Sequence, residues 1–220
     1  MNGRQAHSVM KTRLLLFFLA LSPLISVAQN EDLELWSSVK FIKKINAKLR
    51  FELEEQIRWA DSISVYKKNY TNLGISYKVF NEHSLSANLR LVNKVNNDNY
   101  FRAHVDLSSA VDVKKLSITL KQRLRIQQSW DELGAYDKTY FRSRWGIEMK
   151  TKFINPYITH EFYWKLDQQA NLDQQRSTIG ISWNMSKDIK TKLFLRKENE
   201  INKNNPDKLS IIGVGARYKF

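Results

Sequence analysis

The sequence has no cysteine. That excludes a disulfide framework, a thiol nucleophile and a thiolate metal site. Proline and glycine are scarce, at three and seven of 220 residues, which excludes collagen-like and low-complexity chains. Histidine is limited to His7, His83, His104 and His160, too scattered to suggest a metal centre. No HExxH, GxSxG, P-loop or dinucleotide-binding pattern occurs, so neither a cofactor nor a metal is expected and no catalytic residue is assigned. Acid is also in deficit: 22 Asp and Glu face 36 Lys and Arg, a net charge of +14. The one long apolar run, Leu14 to Leu21, is too short for a transmembrane helix.

That run instead predicts a secretory signal over residues 1–28. Lys11 and Arg13 precede it, Pro23 breaks it, and Ser26-Val27-Ala28 supplies small residues before Gln29. Met10 is an alternative start. Cleavage takes away Arg4, Lys11 and Arg13 and leaves a single domain, 29–220, at +11. No cysteine follows the run for lipid attachment.

The remaining chain alternates with a period of two. Leu49, Phe51, Leu53, Ile57 and Trp59 share one face, with Arg50, Glu52, Glu54, Gln56 and Arg58 on the other. Phe101, Ala103, Val105 and Leu107 oppose Arg102, His104 and Asp106. Ten such strands run from Leu49 to Phe220, and Leu33 to Ile42 reads as an eleventh, inside the lumen, in the periplasm or beside a further strand. Glu55, Gln122 and His160 fall on apolar faces and suggest bulges or interfacial depth.

Alternation fits a soluble barrel with its apolar face inward or a membrane barrel with that face outward. Three features favour the membrane. Breaks alternate between short ones (80–84, 113–115, 150–153, 185–188) and longer ones (60–65, 131–139, 166–174, 200–208). Trp59, Trp130, Phe141, Trp164, Trp183 and Tyr218 fall near strand ends, as interfacial girdles do. Gly215-Ala-Arg-Tyr218-Lys-Phe220 resembles a C-terminal barrel-assembly signal. The expectation is a transmembrane antiparallel up-and-down β-barrel of ten to twelve strands in the bacterial outer membrane. Its partners would be outer-membrane lipids, the assembly machinery at the last strand, and small anions. Nucleic acid, the usual reading of a basic chain, is excluded by export.

The chain also resembles an uncharacterised outer-membrane barrel family of Gram-negative bacteria, domain of unknown function 2490. The likeness covers roughly Asp32 to Phe220. It rests on Leu35-Trp36, Arg123-x-Arg125, Arg142-x-Arg144, Pro156-Tyr157 with Glu161, and Arg217-Tyr-Lys-Phe220. It implies a barrel and a location but no activity.

Function would lie on the polar face. Arg90, Asp106, Arg123, Arg125, Arg142, Arg144, Glu148 and Glu161 form the candidate lumenal charge cluster. Turn positions predict Arg90 beside Asp106, Asp106 beside Arg123, and Arg142 beside Glu161. Two readings compete: an anion-preferring, porin-like channel or solute site, with Arg123, Arg125, Arg142 and Arg144 as its filter, and a barrel plugged by its own salt bridges, acting through surface loops. A lipid-modifying enzyme is the third class, with His160 on the lipid face as its base. His104, Asp106 and Ser108 share a strand face but are no triad, because alternate residues lie about 6.7 Å apart and Ser108 is out of reach of His104. Lys78, Lys114, Lys115, Lys150, Lys152, Lys187, Lys190 and Lys219 gather at the predicted periplasmic ends, facing headgroups or solvent.

Overall fold

The computed structural model describes residues 32–95, 99–167 and 170–220. The expected signal segment, 1–28, lies outside the described residues. Eleven strands follow: β1 (Asp32–Lys44), β2 (Leu49–Ala60), β3 (Val65–Lys78), β4 (His83–Lys94), β5 (Tyr100–Val113), β6 (Ile118–Asp131), β7 (Tyr136–Met149), β8 (Ile154–Lys165), β9 (Asn171–Asn184), β10 (Ile189–Glu200) and β11 (Lys208–Lys219). Each pairs with its sequence neighbour, and β1 closes on β11 to complete a barrel.

Closure corrects the expectation of an all-antiparallel wall. β1 and β11 pair in parallel, from Asp32↔Leu209 to Ile42↔Lys219. The reason is parity: in a ring of up-and-down strands, an odd number brings the first and last together running the same way. Leu33 to Ile42 is therefore neither lumenal nor half of an extra hairpin; it is the closing strand. Odd strand counts are known among mitochondrial outer-membrane channels.

The strands are tilted, as barrel closure requires. One layer of paired residues runs Lys44, Arg50, Ser76, Ser86, Asp106, Arg125, Arg142, Tyr163, Gln174, Glu200. It starts at the last residue of β1, at one end of the barrel, and finishes at the last residue of β10, at the other.

The two ends differ less than the sequence suggests. At the first, called the turn end, segments 45–48, 79–82, 114–117, 150–153 and 185–188 connect strands. At the opposite loop end, 61–64, 132–135 and 201–207 connect strands. Much of the expected outer loops is strand: Tyr136 to Thr139 belongs to β7 and Asn171 to Gln174 to β9. Register shifts keep these segments paired. They fall at Arg58/Trp59, Ser129/Trp130 and Tyr163/Trp164, each at a tryptophan near the loop end. An extra residue there lets the ladder continue while the strand twists. Trp183 and Tyr218 lie near the turn end, whereas Phe141 sits well inside β7 and packs on Trp164 at 5.5 Å. All eight lysines noted in the sequence ring the turn end.

Polarity is inverted relative to a soluble barrel. Leu89, Ile126 and Ile158 are more than half exposed on the outside, while Arg125, Arg142 and Glu161 are buried inside. Glu55 and His160 do face outward among apolar residues, but no register shift marks them and they sit mid-strand. Each has a cross-strand partner instead: Thr71 donates to Glu55, and His160 Nδ1 lies 2.9 Å from Ser177 Oγ. Gln122, also outward, pairs with Ser109 and Trp145 without a register shift.

The protein-buried apolar core is small. Trp36, Phe194 and Ile211 pack together inside the barrel next to the parallel seam, with Tyr157 and Leu209 against them. Gly213 makes this possible. It pairs with Trp36 on one side and Phe194 on the other, and a Cβ there would sit 1.9 Å from Phe194 Cζ.

Candidate functional site: the barrel lumen

The inward faces enclose a cavity of ≈ 700 Å³. Its lining runs from Ser84, Lys121 and Arg217 towards the turn end to Lys68, Tyr100 and Lys138 towards the loop end. Sixteen Lys and Arg line it, against six Asp and Glu. Burial of a charge is costly without a partner, so the pairing of these groups decides what the lumen can do.

On the β6–β10 side four arginines are matched by acids, while Arg144 forms no ion pair among the described residues and Arg196 meets only Thr178 and the rings of Trp36 and Phe194. Arg125 grips Asp106 through two donors, Nε to Oδ1 at 2.6 Å and Nη2 to Oδ2 at 2.7 Å. Such fork-to-carboxylate contacts are the strongest ion pairs proteins make. Glu161 Oε1 accepts from Arg123 Nη2 at 2.5 Å and from Arg142 Nη2 at 2.9 Å. Arg142 Nη1 also donates to Gln127 Oε1 at 2.8 Å. Arg176 Nη2 donates to Glu198 Oε1 at 3.0 Å. The guanidiniums of Arg142 and Arg176 lie 4.1 and 4.4 Å from the centre of the Tyr163 ring, a cation–π arrangement. Nearer the turn end, Glu148 takes Lys121 at 2.7 Å and Lys190 at 3.4 Å. On β1–β2, Lys40 sits between Glu52 and Glu54 at 3.1 and 3.2 Å.

The loop-end half of β2–β5 is different. Arg58 lies 3.3 Å from the Trp36 ring centre and 4.3 Å from that of Tyr70. Arg90 and Lys68 lie 5.2 and 5.7 Å from the same Tyr70 ring. Arg102 pairs directly opposite Arg90 in the β4–β5 ladder. Their polar partners are neutral: Gln56 for Arg58, Asn72 for Arg90, and Ser129 and Tyr100 for Arg102. Among the described residues no carboxylate forms an ion pair with these three arginines.

Every residue of the sequence-derived charge cluster faces the lumen or its wall. Arg142 and Glu161 meet as expected. Asp106 does not meet Arg90 or Arg123; the register sets it opposite Arg125, because β4 pairs with β5 only as far as Val92↔Tyr100. Arg123, Arg125 and Arg142 are each engaged by a carboxylate, whereas Arg144 forms no ion pair among the described residues. Gly215 faces inward, where an added Cβ would approach Lys192 and Ser38. Tyr218 stacks on Phe220 at 5.6 Å and meets Phe41 edge-on.

Sequence reasoning missed Tyr70, Lys68, Arg176 and the inward importance of Arg58. The signal was present in the alternation Lys68, Tyr70, Asn72, which extends β3 towards the loop end. His104 is buried beside Asp106, its Nδ1 without a partner among the described residues, and Asp106 accepts both of its side-chain bonds there from Arg125. His160 and Ser177 touch on the outer wall, with Phe162 against the imidazole at 4.4 Å and no carboxylate bonded to it among the described residues.

Comparison with curated proteins finds no match. A family model described as "Protein of unknown function (DUF2490)" matches residues 33–209. That span runs from the start of β1 to the first residues of β11 and so takes in the strands β2 to β10 whole. The chain therefore belongs to the DUF2490 family of proteins of unknown function.

Proposed function

We propose that the protein is an outer-membrane β-barrel whose lumen admits small anions. The observation that carries this reading is the combination of an apolar outer wall with a cavity lined by many more cations than acids. An apolar band facing outward with a polar interior is the arrangement that lipid demands of a spanning barrel. Residues 1–28 serve as the export signal, and β11, with Tyr218 and Phe220, engages the assembly machinery. The lysines at the turn end face the periplasmic headgroups, whose anionic lipids attract them.

Anion preference is carried by guanidiniums that no carboxylate pairs with, above all Arg58, Arg90 and Arg102, with Arg144 and Arg196 adding to the field. The matched arginines Arg123, Arg125 and Arg142 hold the wall together, and two acids, Asp106 and Glu161, offset two of their three charges. Planar-bilayer recording in an asymmetric potassium chloride gradient tests the reading. Discrete steps with a reversal potential displaced towards that of chloride are expected. A barrel that inserts but conducts nothing, or that prefers potassium, would overturn it.

A second reading has its own support. Trp36 and Phe194 fold inward over Gly213, and the Glu161 bridges link the neighbouring strands β6, β7 and β8 along the inner wall. These side chains narrow the lumen and favour a barrel that holds a solute over one that passes it.

A further inference from the structure

Arg90 and Arg102 face each other directly across the β4–β5 ladder. Like charges at opposed positions destabilise a sheet, and no acid among the described residues forms an ion pair with either; Glu54 attracts Arg90 only from beyond ion-pair distance. Elsewhere in the lumen the same juxtaposition occurs with relief: Arg125 opposes Arg142, but Asp106 and Glu161 neutralise them. Arg58 and Lys68 add two further cations around the Tyr70 ring. The chain thus concentrates positive charge at one place and gives it neutral hydrogen-bond partners.

We propose that this cluster is a binding site for a phosphoryl group presented by a soluble molecule entering from the loop end. The chemistry selects the class. One guanidinium fork satisfies a carboxylate through two parallel donors. Several guanidiniums on different strands exceed what one carboxylate can accept. A tetrahedral phosphate dianion has enough oxygens to accept from Arg90, Arg102 and Arg58 together, and its second charge offsets their mutual repulsion. Trp36 and Tyr70 already occupy the faces of Arg58 and fix the direction of its edge, which presents donors already oriented. The cluster lines the cavity and does not face the outer wall, so a free phosphate ester reaches it and a bilayer headgroup does not.

The site rests on the reading of an accessible lumen, but the two fail separately. The test is calorimetric titration of inorganic phosphate and of glycerol 3-phosphate into the protein, expressed from its full sequence and purified in detergent. Ionic strength is held constant with chloride. Saturable binding of both at one site per barrel is expected. Arg102→Gln and Arg90→Gln should each weaken it at least tenfold, while Lys187→Gln, the same charge loss in an exposed turn, should change it less than twofold. Heat-modifiable migration of each variant establishes that the barrel is folded. Phosphate binding no tighter than chloride, or equal loss in all three variants, overturns the site. Binding of phosphatidic acid in mixed micelles without binding of the soluble esters also overturns it, by moving recognition to the outer wall. An anion-selective pore indifferent to phosphate removes this site alone. A barrel that binds phosphate and conducts nothing removes the passage and leaves the site.

Discussion

The two sides of the lumen use the same residue type for different ends. On the β6–β10 side, Arg123, Arg125, Arg142 and Arg176 are held by three acids, Asp106, Glu161 and Glu198. On the β2–β5 side, Arg58, Arg90 and Arg102 meet amides, hydroxyls and aromatic rings. Partner chemistry separates these two sets of arginines; Arg144 and Arg196, on β7 and β10, go with the second set, since neither forms an ion pair among the described residues. A guanidinium locked to a carboxylate is wall structure, because its charge is spent locally. A guanidinium held only by neutral groups keeps its field for a visiting anion.

Removing a matched acid breaks this contrast most severely. Glu161→Gln leaves Arg123 and Arg142 without a counter-charge in a buried setting. Loss of one partner from a buried pair typically costs about 3–5 kcal/mol, and this carboxylate serves two. Unfolding of the detergent-solubilised barrel in urea should show a midpoint shift of that order. A midpoint within experimental error of the parent would mean that the ladder does not hold the wall.

Relieving the unmatched side should have the opposite sign. Arg102→Gln removes one of two opposed like charges, a gain of about 0.2–1 kcal/mol in phosphate-free buffer, read from the same unfolding curves. A loss of stability instead would show that Arg102 is structural, like its counterparts across the lumen. The smallest effect belongs to an ion pair on neither side. Lys150 and Asp112 meet at 2.6 Å at the turn end with both side chains about half exposed, so Lys150→Met should cost too little to move the unfolding midpoint. A larger cost would mean that exposure is a poor guide to which pairs matter here.

What could be read from the sequence follows the range of the interactions. Alternation marks strands because side-chain direction is a local property, so β2 to β11 were visible within a few residues of their ends. The meeting of Arg142 with Glu161 was visible because a four-residue turn links their strands. Closure of β1 on β11 was not, since Trp36 and Gly213 meet from opposite ends of the chain and parity is a property of the whole ring. The Arg58 stack was hidden for a related reason. Trp36 on β1 and Lys68 on β3 meet Arg58 through the registers of β1–β2 and β2–β3, which the alternation of a single strand does not give. Where β4 pairing stops likewise decides that Arg90 opposes Arg102 instead of neighbouring Asp106.

The most direct test is the reversal potential of the triple variant Arg58→Gln, Arg90→Gln, Arg102→Gln beside the parent barrel, in the same chloride gradient. A parent displaced towards the chloride potential and a variant that falls back towards zero would agree with the account. Equal displacement in both barrels would contradict it and return the anion preference to the matched side of the lumen.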